Sequence, residues 1–409
     1  MTQRHRAAKH ASTASPALAA GIVIAALAAF MLSTDVYVAT MPRMAEAFAV
    51  EPSLIQLTVT LNLTAYALST LVHGPLSDRF GRARVLCWGL GGFCAASALC
   101  WLAPNVEALI VGRIGQGLAA SAGTVLAAVI IRELFDDTGA QRWLAIMALA
   151  TAAGPAFGPL VGAALAEGFG WRGPFAALVA VSALVLLAAC RLPETGQPRP
   201  DALVLRRVLA RYAAVACNAS FMRYQLINAF ALAALFAFIT AAPFVFIETF
   251  GLGPMIYATL HGSLVLVYIA TTAINARLAG RVAPERLLSL GIWVGLAGVA
   301  LLVLGAVWSG GSMWGIVLGM AFNAASIALL MGNGWLLMLN AVVPAEMGTA
   351  SAFAGCMQML LAALASLTVA ALPAGSPVFM ALAVGLYAGG AGLTYLLLRP
   401  RAPGRALAP

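Results

Sequence analysis

Charge is what this chain mostly lacks. Asp, Glu, Lys and Arg make up 9% of its 409 residues, while 62% are apolar. Soluble domains carry roughly 25% charged residues, so a solvated globular protein is excluded. Short segments of alternating polarity, ~10 residues each, are also missing, which argues against a transmembrane barrel. The six cysteines, Cys87, Cys94, Cys100, Cys190, Cys217 and Cys356, show no metal-ligand spacing, and the four histidines do not cluster. The cysteines read as small buried hydrophobes, and no metal is expected. No G-x-x-x-x-G-K-[ST] loop is present, so ATP is not the expected energy source. No catalytic dyad points to an enzyme, and no cofactor is expected. What these absences leave is an all-α polytopic membrane protein.

Apolar runs of helical length recur along the chain. A ~20-residue window places twelve spans at 17–42, 54–73, 84–103, 107–131, 142–166, 173–192, 223–248, 255–277, 286–308, 313–338, 347–371 and 377–398. Arg4, Arg6 and Lys9 before an apolar run resemble a signal peptide, but the run from Ala17 to Pro42 is too long for one and reads as a retained first span. With the N-terminus inside, 20 of the 23 Lys and Arg residues fall on the cytoplasmic side. Only Arg43 and Arg172 fall outside, and Arg113 lies within a span. This is a strong positive-inside bias. It accounts for the net charge of +9 as topology and lipid contact, so no nucleic-acid partner is expected. The polar insertion 193–222 separates two six-span halves, 17–192 and 223–398, with cytoplasmic tails at 1–16 and 399–409. Two such halves suggest a duplicated transporter architecture.

Three stretches carry chemistry. Gly74 to Arg84, GPLSDRFGRAR, is a charged turn between spans two and three, with Asp78 able to accept from arginines or from a helix N-terminus. Span four places Arg113, Gln116, Gly117, Ala120, Ser121 and Thr124 on one helical face. A charge in a span is costly and faces a cavity or a partner. In span five, Gly154, Gly158 and Gly162 recur every four residues on one face, with Pro155 and Pro159 interrupting the backbone ladder. This face reads as close helix packing.

Asp35 is the acidic residue lying well inside a span, seven residues before Pro42. Arg113 lies six residues into span four, which runs the opposite way. At ~1.5 Å per residue the two share a depth ~10 Å below the outer surface. Apolar surroundings disfavour the ionised acid and a nearby arginine favours it. That balance suits a group that binds and releases a proton, with Arg113 as its partner. The alternatives are a static buried aspartate and a purely structural arginine. Thr58, Asn62, Tyr66, Ser69 and His73 line one face of span two, and Tyr257, His261, Tyr268, Thr272 and Asn275 one face of span eight. These stripes divide between interhelical bonds and cavity contacts. Met31, Tyr37, Phe236 and Phe244 complete the candidate substrate wall, with Asp35, Asn62, Tyr66, Arg113, Gln116 and Gly117.

These stretches resemble signatures of the major facilitator superfamily. Gly74, Leu76, Asp78, Arg79, Gly81, Arg82 and Leu86 resemble its motif A, a cytoplasmic latch, with Ala83 where a second basic residue is usual. Arg113, Gln116 and Gly117 resemble motif B, whose arginine is tied to proton coupling. Gly154, Gly158, Pro159 and Gly162 resemble motif C of the proton-driven antiporters. Asp35, Tyr37 and Pro42, with Ala242–Glu248 and Gly348–Gly355, resemble the bicyclomycin and chloramphenicol resistance subfamily (Bcr/CflA) of the twelve-span drug:proton antiporters, although Val36, Val38 and Ala39 differ from its usual first-span segment. The resemblance implies a monomer of the bacterial inner membrane. It would exchange protons for small amphipathic drugs by alternating access, driven by the proton gradient. If Asp35 and Arg113 pair, neutral phenicol-type compounds should be preferred, then monocations, then dications. A metabolite exporter or importer of the same fold is the alternative.

Overall fold

A computed structural model describes residues 15–196, 205–308, 312–343 and 346–398, and every statement below concerns those residues. Both expected tails, apart from Ser15 and Pro16, and part of the 193–222 segment lie outside them.

The chain forms helices α1 (Pro16–Val38), α2 (Met41–Phe48), α3 (Pro52–Phe80), α4 (Arg82–Trp101), α5 (Val106–Leu134), α6 (Asp137–Phe169) and α7 (Gly173–Ala189). After α8 (Leu205–Ala216) come α9 (Ala219–Pro243), α10 (Pro254–Leu278), α11 (Pro284–Val307), α12 (Met313–Asn340), α13 (Met347–Ala370) and α14 (Pro377–Leu397). A π turn, Phe244–Thr249, extends α9. Helix starts follow local chemistry. The side chains of Asn105, Asp136 and Asn218 each accept a hydrogen bond from a backbone N–H three residues on, which is N-capping. Proline stands in the first turn of α1, α3, α11 and α14, where its missing N–H costs nothing.

Among the described residues, ten helices are long and apolar enough to cross a bilayer. A bent pair within α6 makes an eleventh, and α7 is a shorter apolar helix. The ten helices and the bent pair coincide with eleven of the expected spans, and α7 lies within the expected sixth, 173–192. The first is shorter than expected: it ends at Val38, and Met41–Phe48 forms the separate helix α2, closed by Ala49 at a left-handed φ of 51°. The bend in α6, 41° between Thr151 and Gly154, has a local cause. Pro155 removes the hydrogen bond to the Thr151 carbonyl and crowds it.

Two compact units divide the chain: Met1–Val204 with Leu252–Gly262, and Leu205–Gly251 with Ser263–Pro409. The division departs from the expected 223–398 half in two respects: the second unit begins at Leu205, and the first turns of α10 belong to the first unit. The segment expected as a plain linker also contains α8. Within the first unit, Arg172 and Arg43 close helix ends. Arg172 donates to the carbonyls of Trp101 (3.1 Å) and Ala103 (2.9 Å), and Arg43 donates to that of Ala166 (3.2 Å). Both sit where terminal carbonyls lack intrahelical partners. In the second unit, α11 and α12 are joined through glycines. A Cβ on Gly319 would lie 2.6 Å from the Leu302 nitrogen, and one on Gly305 2.7 Å from the Gly315 carbonyl carbon. Such contact is possible only where side chains are missing.

Candidate functional site

The site is built on α1, which carries Asp35 in its last turns. Ser33 and Tyr37 are two residues away on either side of Asp35. At 3.6 residues per turn both lie on the opposite face of the helix. The two faces meet different neighbours, and this decides the chemistry.

Arg113 belongs to the Ser33 and Tyr37 face. It is fully buried on α5. Its Nη1 donates to the Ser33 carbonyl (3.2 Å) and to Gln116 Oε1 (2.7 Å), and its Cζ lies 4.1 Å from the Tyr37 ring centroid. Gln116 in turn donates to Ser97 on α4 (2.8 Å), and Asn62 on α3 donates to the Arg113 carbonyl (2.8 Å). Tyr37 and Thr58 share a hydrogen bond of 3.2 Å. A buried guanidinium is tolerable when carbonyl oxygens and an aromatic face replace water. Gly117 lets α5 approach α3 closely, because a Cβ there would overlap the Asn62 carbonyl.

The expected Asp35–Arg113 pair is therefore not formed: among the described residues no ion pair joins them. Matched depth set the height of both groups but not their direction around α1. Asp35 is half-buried and faces α6. A Cβ on Gly158 would lie 2.5 Å from Asp35 Cβ, one on Gly154 3.6 Å from Asp35 Oδ2 and 3.7 Å from Met31 Cβ, and one on Gly162 would overlap the Val36 carbonyl. The glycine face of span five thus seats the acid-bearing turn of α1. Pro159 follows Gly158 and removes another ladder bond from α6.

The span-two stripe turns out to be an interhelical seam. Beyond Thr58 and Asn62, Tyr66 donates to Thr124 (2.7 Å), Ser69 and Ser121 share a bond of 2.8 Å, and His73 Nδ1 lies 2.7 Å from Ser121 Oγ. Of the first unit's candidate wall, Met31, Asp35 and Tyr66 keep exposed surface. Tyr37, Asn62, Arg113, Gln116 and Gly117 are buried behind them. Phe236 and Phe244 lie in the second unit; Phe236 is half-buried, while Phe244 is fully buried and packs as core, offering no wall surface. The span-eight stripe also divides. Tyr257 and His261 are buried within the first unit, and Asn275 accepts from Asn333 Nδ2 (2.9 Å) in the second.

At the turn between α3 and α4, Gly74 packs near Val125, and Asp78 and Arg82 form an ion pair across Gly81. Arg82 also donates to Ser77 Oγ (2.6 Å) and reaches Glu133 (3.5 Å), and Arg79 lies over the Phe80 ring. Sequence reasoning missed Glu194. Its carboxylate accepts from the backbone N–H groups of Arg82 and Ala83, capping α4. Gly81, at φ +105°, is the residue that leaves room for it. Thr195 donates to Glu133 (2.6 Å), closing the cluster. The signal was an acid just past the end of span six, with nothing in sequence to say what it meets.

A chain of apolar helices in two units, with buried polar groups gathered on the first, second and fourth spans of the first unit, defines a multi-pass membrane transporter. The Major Facilitator Superfamily profile matches residues 21–366, and the chain belongs to that superfamily. It is 30% identical to the "Chloramphenicol resistance protein" of Pseudomonas aeruginosa, over 84% of this chain and 81% of that one. It is 29% identical to the "Multidrug transporter MdfA" of Escherichia coli O157:H7, over 74% of this chain and 75% of that one. It is 28% identical to the "Uncharacterized MFS-type transporter YdgK" of Bacillus subtilis (strain 168), over 92% and 96%. Its fold is similar to that of a solved peptide transporter, with TM-score 0.77, 13% identity and 97% of each chain covered. A D-xylose-proton symporter structure gives TM-score 0.73 at 17% identity, covering 93% and 98%. The protein is thus a multi-pass transporter of the bacterial inner membrane.

Proposed function

We propose that this transporter exports small amphipathic drugs, phenicol-type antibiotics among them, in exchange for protons. The observation that carries the reading is the placement of Asp35. It is a half-buried acid on α1, seated on the glycine face of α6 and not neutralised by an ion pair. A carboxylate in that position exchanges a proton for a substrate because each discourages the other, which is what antiport requires. The named activities of the multidrug and chloramphenicol-resistance relatives support the choice of substrate class.

Arg113 then acts through α1 instead of on the acid directly. By holding the Ser33 carbonyl and the Tyr37 ring it keeps that face of α1 against α5, which turns Asp35 toward α6. The charge preference changes accordingly. With the guanidinium sequestered on the far face, Asp35 presents a single negative charge. Neutral amphipaths bind by apolar contact and a few hydrogen bonds, a monocation binds by claiming the ionised acid, and a dication leaves one charge unmatched. Alternating access between the two six-span halves, 17–192 and 223–398, completes the cycle, with the cluster around Gly74, Asp78, Arg79, Gly81 and Arg82 as the cytoplasmic latch.

The test is drug susceptibility of an efflux-deficient bacterium expressing the wild-type chain or Asp35→Asn. The reading expects raised resistance to chloramphenicol or to a lipophilic monocation with the wild type and none with the variant. Equal resistance from both, at equal membrane abundance, contradicts it.

A further inference from the structure

Helices α4 and α7 of the first unit pack antiparallel, and three contacts fix their register. The Cys94 thiol donates to the Val179 carbonyl (3.8 Å). A Cβ on Gly91 would lie 3.9 Å from Leu186 Cδ2. At the start of α4, the backbone N–H of Ala83 donates to the Glu194 carboxylate (3.3 Å). Cys87 is four residues from both Ala83 and Gly91, and Cys190 is four residues from both Leu186 and Glu194. Residues four apart share a helix face. Cys87 and Cys190 therefore sit opposite each other, one turn from a contact on either side. The chain is still turning at Cys190, since the N–H groups of Arg191 and Leu192 donate to the carbonyls of Ala188 (3.1 Å) and Ala189 (3.0 Å). The two thiols are near enough to interact, and Cys87 also feels the Glu194 carboxylate.

Both are free thiols; Cys190 is exposed, contrary to the burial expected from sequence, and Cys87 is partly so. Exposed charged residues flank them: Arg84 on α4, and Arg191 and Glu194 beyond α7. The pair thus lies at the polar end of its two helices, within reach of a water-borne reagent. The other cysteines are placed differently. Cys94 lies about two turns further along α4, Cys100 is buried, and Cys217 and Cys356 belong to the second unit. A disulfide requires cysteines whose side chains point together, which is what the α4–α7 register supplies.

We propose that Cys87 and Cys190 are an oxidation site: hydrogen peroxide converts the facing thiols to a disulfide that ties the end of α7 to the second turn of α4. The exposed Cys190 reacts first. Its sulfur takes one peroxide oxygen, the O–O bond breaks, and a sulfenic acid forms as one water leaves. Cys87 then attacks that sulfur, the S–S bond forms, the S–O bond breaks, and a second water leaves. The two thiols give up two electrons to the peroxide, and their protons end in the two waters. The tie has a local consequence. Glu194 follows Cys190 by four residues and accepts from the N–H groups of Arg82 and Ala83, and a Cβ on Gly196 would lie 3.2 Å from Arg82 Cγ. The disulfide holds this cap on the α4 N-terminus and keeps Arg82 beside Asp78 and Glu133. Slower export by the oxidised protein rests on the latch role proposed above for that cluster.

The experiment treats the purified full-length protein in detergent with hydrogen peroxide, digests it without reductant and maps it by mass spectrometry. The wild type should yield a Cys87–Cys190 cross-linked peptide pair that dithiothreitol separates, and Cys190→Ser should yield none. Amide hydrogen exchange should slow in the peptide carrying Arg82 and Ala83 of the oxidised wild type, and recover after dithiothreitol. The same peptide of Cys190→Ser should ignore peroxide. The wild-type readouts decide the matter should that variant fail to fold. Sulfenic or higher acids at Cys190 with no cross-link to Cys87 overturn the site. A cross-link that leaves exchange at Arg82 and Ala83 unchanged overturns the tie. In everted vesicles, chloramphenicol-driven dissipation of a pH gradient should be lost in the oxidised wild type and restored by dithiothreitol. Slowed exchange with unchanged export overturns the latch reading and supports the oxidation site.

Discussion

The two units are held together by the same means but differ in where they keep their acids. In the first, polar side chains bridge spans: Tyr37 to Thr58, Asn62 to the Arg113 carbonyl, Tyr66 to Thr124, and Ser69 to Ser121. The second has bridges of its own, Gln225 to the Ala354 carbonyl, Ser326 to the Gly291 carbonyl and Asn333 to Asn275. Close glycine contacts occur in both, at Gly158 and Gly162 in the first and at Gly305, Gly315 and Gly319 in the second. Among the described residues the acids divide: Asp35 lies within a span, whereas Glu248, Glu285 and Glu346 sit at helix ends. A polar seam costs desolvation and is worth little net stability when satisfied, so polar seams serve both units as scaffolding and do not distinguish them. The difference teaches that what sets the first unit apart is an acid inside a span seated on a glycine face.

The largest expected effect comes from Asp35→Asn. It should abolish export coupled to protons while leaving insertion and thermal unfolding near wild type, because the amide fills the same space beside Gly158. Uphill drug transport by the variant in vesicles would remove the acid from the mechanism.

Next come matched lesions in the two glycine contacts. Gly158→Ala forces a methyl group against Asp35 Cβ, and Gly319→Ala forces one against the α11 backbone. Each overpacked contact should cost about 1–3 kcal/mol, read as a lowered unfolding temperature in detergent. Only the Gly158 variant should also alter the pH dependence of transport. Gly154→Ala, whose methyl group would stand 3.6 Å from Asp35 Oδ2 at ordinary contact distance, should fold normally. If Gly319→Ala changed the pH profile as much as Gly158→Ala, the contrast between the units would fail.

A smaller effect is expected at the charged cluster between α3 and α4. Glu194→Gln keeps an acceptor for the α4 N-terminus but loses the charge that complements its dipole, costing about 0.3–1 kcal/mol. The loss should diminish in high salt, as the charge is partly exposed. A thermal shift that ignores salt would mean that the carboxylate's charge plays no part in the cap.

Much of this was legible beforehand. Twelve apolar runs, the arginine bias and the glycine spacing of span five are properties of one helix at a time, and a sequence displays those directly. Asp35 stood out for the same reason, as an acid within a span. What could not be read was direction around a helix axis. Asp35 and Arg113 agree in depth, yet the residues that contact the arginine, Ser33 and Tyr37, point away from the acid. Nor does a hydroxyl reveal its bond: Tyr66 and Ser69 looked equally suited to a ligand and to α5 until their partners were in place. Phe244 read as a cavity wall from its apolar ring, but burial depends on neighbours far along the chain. Glu194 needed the fold most, since the backbone groups it caps lie 112 residues away.

The central claim is that Asp35 exchanges its proton for substrate. It is tested most directly in everted membrane vesicles carrying a preformed acid-inside pH gradient, reported by a fluorescent dye. Adding chloramphenicol, or tetraphenylphosphonium as a monocation, should partly dissipate the gradient with the wild-type chain and leave it intact with Asp35→Asn. Dissipation of equal size with both proteins would contradict the account.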